Sequence, residues 1–165
     1  MMIPRTGFQG RAGTYGVVGT WNVRWTQVPK CNAYTISHGA LPISADTVDV
    51  LAAWHTIDEL DVCHVITENA HVQFAGGYIA RWTMRGTCLV ANDTEKTQKL
   101  RVDVTYQTAK LTTMRGVPDA GLVAYANRTL SMQTRKSTWS IVGLTSSYRI
   151  DEYDANSHLA LLTRM

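Results

Sequence analysis

The sequence predicts a mainly β (α+β) domain: an antiparallel sandwich or barrel-like sheet of about seven strands, with one early helix near residues 44–60. Three observations predict it. Beyond residue 62 apolar and polar side chains alternate mostly with a period of two, turn chemistry recurs at short spacing, and only one stretch places apolar residues at helical spacing. At 165 residues, 45% hydrophobic and 18% charged, the chain is long enough to bury a core without disulfide staples.

Residues 1–19 read as a flexible basic arm, because Gly7, Gly10, Gly13, Gly16 and Gly19 recur every third position around Arg5 and Arg11. Residues 20–165 then form a single β-rich domain. In the first strand Trp21, Val23 and Trp25 alternate with Asn22, Arg24 and Thr26, the pattern of a half-buried strand. Pro42 closes that region. The predicted helix follows, capped by Ser44 or Asp46, with Val50, Leu51, Trp54 and Ile57 on one face and Asp49, Asp58 and Glu59 on others.

Residues 62–67 and 71–74 read as two short strands separated by the polar pair Glu68-Asn69. Tyr78, Ala80, Trp82 and Met84 alternate with Ile79, Arg81, Thr83 and Arg85, and Leu100, Val102, Val104 and Tyr106 give the clearest strand of all. Pro118-Asp119-Ala120-Gly121 is a turn, strands follow near 122–132 and 138–144, and a short helix is expected around 155–162. One long helix is too few for the crossovers of a parallel sheet.

Charge is segregated along the chain. Residues 1–43 carry +4, residues 44–76 carry −6, residues 77–150 carry +7 and the remainder −2, for a net +3. If folding keeps the blocks apart, an acidic face on one copy meets a basic face on the next. The candidate assembly residues are Asp58, Glu59, Asp61, Arg81 and Arg85. Arg5, Arg11, Arg135 and Lys136 are the candidate contacts to an anionic partner: nucleocapsid, RNA or an anionic membrane surface.

Enzymatic chemistry is not expected. No Gly-Lys-Ser/Thr accompanies the early glycines, and no serine sits in a Gly-x-Ser-x-Gly elbow. Cys63, His64, His71 and Cys88 offer metal-ligand types, but Cys63 and His64 are adjacent and on a strand point to opposite faces. No catalytic, cofactor or metal residue is therefore assigned. No apolar run reaches the ~20 residues that span a bilayer, and the first residues hold no hydrophobic signal core. Three widely spaced cysteines fit reduced thiols, so a cytoplasmic or nuclear protein is expected and not a secreted one.

The basic glycine-rich arm, the first strand, a helix introduced by Leu41-Pro42-Ile43-Ser44 and the run of strands resemble, in size and element order over residues 20–150, small rhabdovirus-type matrix proteins of plant viruses. That resemblance implies a non-enzymatic virion structural protein that self-associates and contacts the nucleocapsid, other virion proteins or the inner face of an envelope. Gly19-Thr20-Trp21 also resembles the Gly-x-Trp that opens the first strand of lipocalin- and avidin-like barrels, which implies the alternative of a β-barrel binding a small apolar ligand.

Overall fold

In a computed structural model, which describes residues 16–27, 48–59, 63–92, 99–154 and 158–165, the chain is an eight-stranded antiparallel barrel. The strands are β1 (Gly19–Thr26), β2 (Val48–Glu59), β3 (His64–Phe74), β4 (Ile79–Asn92), β5 (Leu100–Arg115), β6 (Thr129–Leu144), β7 (Tyr148–Tyr153) and β8 (Leu159–Arg164). Each pairs with the next in sequence, and β8 pairs back onto β1 from Trp21↔Arg164 to Thr26↔Ala160. Closure removes the free edges that an open sheet of this length would expose.

The early helix is not formed. Residues 48–59 are strand β2, held from Val48↔Phe74 to Glu59↔His64 along β3. The misleading signal has a local cause: the register shifts between Val50 and Ala52, so one extra residue, Leu51, enters the strand as a bulge and stands 53% exposed. The bulge breaks the period of two, and apolar residues on both faces, inward Val50 and Ile57 with outward Leu51 and Trp54, together mimic helical spacing. Inward positions on either side of it are Val48 and Val50, then Ala53, His55 and Ile57, while Trp54 faces outward with its ring edge-on to His71 at 4.9 Å.

Three further boundaries differ from expectation. Glu68-Asn69 does not interrupt the sheet, because β3 is continuous and Glu68 occupies an inward slot between Ile66 and Ala70. Residues 159–162 of the expected terminal helix belong instead to strand β8, which the open edges of β1 and β7 recruit. The strand expected from residue 122 starts at Thr129, after a turn in which Asp119 Oδ1 accepts from the Leu122 amide and the Asn127 amide donates to Leu111 O.

Most of the predicted arm, residues 1–15, and the Pro42 region lie outside the described residues. Its last part belongs to the barrel: Val17 is fully buried and its carbonyl accepts from Trp21 Nε1 at 2.9 Å. Arg164 fastens the same segment, donating to Val18 O at 2.7 Å, Gly16 O at 2.8 Å and Ser146 O at 2.9 Å while its guanidinium lies 4.3 Å from the Trp21 ring centre. One end of the barrel is thereby closed over Trp21. Strand direction puts the 75–78 and 116–128 connections at the opposite end, near Val72, Phe74, Leu111 and Leu122.

Candidate binding site in the barrel interior

Inward positions of a small barrel are filled by side chains, and here most are apolar, with Trp21, Trp82 and Trp139 among the largest that are fully buried. Toward the closed end the apolar lining is interrupted by ionisable groups from four strands. Arg149 and Asp151, two residues apart on β7, share the inner face and both are 0% exposed. Arg149 Nε and Nη2 donate to Asp151 Oδ1 and Oδ2, each at 2.8 Å, a bidentate pair.

Arg149 also reaches across the interior. Its Nη2 lies 2.6 Å from Nε2 of His55 on β2, and its guanidinium carbon is 5.1 Å from the centre of the Trp21 ring. Burial, aided by the Arg149 charge, holds His55 well below its ordinary pKa, so the imidazole is neutral. With Nε2 accepting from arginine, its proton sits on Nδ1, which faces Glu68 Oε1 at 3.8 Å. The other Glu68 oxygen accepts from the hydroxyl of Tyr106 on β5.

Burial pushes the Glu68 carboxyl up to about 7, against the opposing pull of Tyr106 and Arg149. Burial also raises Asp151, with Arg149 acting in the other direction. The Cys88 thiol, pushed up to about 12 chiefly by burial, stays protonated and is a poor nucleophile. Gly86 makes space for this assembly: at the register shift between β4 and β5 it pairs with Tyr106, and a Cβ there would lie 2.2 Å from Thr105 O and 2.8 Å from Tyr106 Cα.

Two donors in this region lack acceptors. Arg149 Nη1 and Trp139 Nε1 are buried and have no hydrogen-bond partner among the described residues. Both residues adjoin His55, Arg149 through Nη2 and Trp139 with its ring centre 6.1 Å from that of the imidazole. A buried donor without an acceptor forfeits about 1–3 kcal/mol, so such groups call for a ligand or an ordered water. The interior can therefore offer hydrogen bonds from a polar floor to an acceptor on an otherwise apolar guest.

The residues singled out in the sequence lie mostly on the outside. Asp58 and Glu59 are exposed at the end of β2, and Arg81 and Arg85 are exposed on the outer face of β4. Asp58, Arg81 and Arg85 share one wall: Asp58 pairs with Val65, which pairs with Thr87, two residues from Arg85. The acidic and basic faces expected to lie apart are thus on strands β2 and β4 of one sheet, with β3 between them. Asp61, Arg5 and Arg11 lie outside the described residues. Lys136 is exposed, whereas Arg135 pairs with Tyr106 and enters the inner face half-buried.

His71 faces outward, accepting from Arg81 Nε at 3.4 Å, and Cys88 faces inward, so they cannot converge on a metal. Among the described residues no three His, Cys, Asp or Glu side chains are grouped to hold a metal ion. Sequence reasoning missed His55, Glu68, Tyr106, Arg149 and Asp151. A signal existed for Glu68, a carboxyl in the inward register of Ile66, Ala70, Val72 and Phe74. None existed for the meeting of Arg149 with His55, 94 residues apart. No protein-family model, curated protein or solved structure matches this chain.

Proposed function

We propose that this chain is a non-enzymatic binding protein whose barrel interior holds one small, predominantly apolar molecule, as the Gly-x-Trp resemblance implies. The observation that supports the reading is the pair of buried donors, Arg149 Nη1 and Trp139 Nε1, without acceptors inside the barrel. An eight-stranded barrel is also at the size where the interior is either filled or holds one small ligand. Polar groups that fix a guest at one end of an apolar lining are the usual anatomy of small-molecule sites.

Native mass spectrometry of gently purified protein tests the reading, with a retained small-molecule mass expected. A bare polypeptide mass, together with a crystal density map showing only waters on the two donors, would remove it.

A second reading is that of a matrix-like virion structural protein that self-associates and contacts nucleocapsid, RNA or an anionic membrane. It draws on the mixed-sign outer wall, where Asp58 shares a sheet face with Arg81 and Arg85. Such a wall can pair with its own copy about a two-fold axis, acid to base in both directions. Light scattering should then show oligomers at low salt that dissociate as exposed pairs are screened. A monomer at every concentration and ionic strength would exclude it.

A further inference from the structure

We infer that the interior site selects an electrically neutral guest, an apolar molecule bearing a ketone, ester or amide oxygen, and discriminates against carboxylates and amines of the same length. The inference rests on the binding reading above and adds to it the chemistry of the guest.

The argument is one of charge balance. A free buried guanidinium would be an anion site, but Asp151 already occupies Nε and Nη2 of Arg149 in a bidentate pair. What Arg149 has left to offer is hydrogen bonding from Nη1, alongside the neutral indole N–H of Trp139. His55 contributes no charge. Of the other ionisable groups facing this interior, Glu68 is a second carboxyl, bonded to Tyr106, and Arg135 is a second guanidinium, half-buried at the register of Tyr106. Among the described residues, two guanidiniums thus face two carboxyls. Arg164 stands at the closed end against Trp21, satisfied by three backbone carbonyls.

A carboxylate arriving at Nη1 would bring a third carboxyl beside Asp151 and Glu68, and would lose its hydration without gaining an unmatched cation. An ammonium would meet two N–H donors and no free acceptor. A neutral carbonyl oxygen, with two lone pairs, satisfies a donor without adding charge and carries a small desolvation penalty. Its apolar remainder would extend toward the end lined by Val72, Phe74 and Leu111. Recognition by donors alone also disfavours a guest with no acceptor, because the two N–H groups would stay unpaired.

The test compares three probes of matched chain length on the intact protein: methyl nonyl ketone, undecanoate and undecylamine, titrated calorimetrically at about pH 8, where the acid and the amine are both ionised. The expected result is that the ketone binds at least about tenfold more tightly than either ion. Trp139→Phe, which keeps an aromatic ring but deletes the indole N–H, should weaken the ketone by about three- to tenfold. Undecanoate binding as tightly as the ketone, or more tightly, would overturn the inference while leaving the binding reading in place. So would a Trp139→Phe protein that is folded and binds the ketone at full affinity. Binding of none of the three probes would count against the binding reading itself.

Discussion

Replacing Asp151 with asparagine leaves the fully buried Arg149 guanidinium without its counter-charge. Removing one partner of a buried ion pair costs about 3–5 kcal/mol. Asparagine keeps one acceptor oxygen for the two 2.8 Å bonds, which puts Asp151→Asn near the lower end, about 3 kcal/mol. That is a large part of the roughly 5–15 kcal/mol that stabilises a domain. The reverse change should be milder. In Arg149→Met the orphaned carboxyl, already raised above its ordinary 3.8 by burial, can take up a proton, whereas a guanidinium cannot lose one.

The sign follows from that asymmetry. A carboxyl whose folded pKa exceeds its unfolded value favours the folded state at low pH, and the advantage fades as pH rises toward the folded pKa. Arg149→Met should therefore be more stable at acidic than at neutral pH relative to wild type, while the cost of Asp151→Asn should change little. The double replacement Arg149→Met with Asp151→Leu removes both charges and should recover most of the loss. Urea unfolding followed by tryptophan fluorescence at two pH values completes the double-mutant cycle. Asp151→Asn with the wild-type midpoint, or a double variant as unstable as the two single losses added, would refute a coupled buried pair.

The Glu68 carboxyl, raised from 4.5 to about 7, binds a proton more readily in the folded protein, so its contribution to stability is lost as pH rises through that window. About a fifth of its side chain is exposed, which limits the effect to roughly 1–2 kcal/mol, and urea midpoints of Glu68→Gln should lack this decline. Gly86→Ala drives a methyl group against the β5 backbone and should lower stability by about 2–4 kcal/mol; a thermal midpoint equal to that of the wild-type protein would contradict the packing argument. Arg164→Met deletes three bonds to backbone carbonyls, two of them part-buried, and should cost about 2–3 kcal/mol with faster amide exchange at Val17 and Trp21. Unchanged exchange there would show that the end over Trp21 is closed without Arg164.

Much of the barrel was legible in the sequence because strand alternation is a local property. Leu100, Val102, Val104 and Tyr106 declare which face is buried, as do Ala80, Trp82 and Met84, whatever they pack against. Trp21 likewise reads as inward from its neighbours alone. The segment 48–59 misled because the bulge at Leu51 breaks the period of two while outward Leu51 and Trp54 fall at helical spacing with inward Val50 and Ile57, and only pairing with β3 separates the two faces.

Closure of the sheet was decided by tertiary structure, since the pairing of β1 with β8 joins the two ends of the described chain. So was the candidate site. His55, Glu68, Tyr106 and Arg149 are ordinary polar residues one at a time, and they become a polar floor only when four strands turn the same face toward one enclosed space. The charge blocks show the same limit: the sequence assigns acid to residues 44–76 and base to residues 77–150, and antiparallel pairing of β2, β3 and β4 lays both on one wall. Periodicity fixes which way a side chain points relative to its own strand, whereas what it meets depends on which strands lie opposite, and that is a property of the closed sheet.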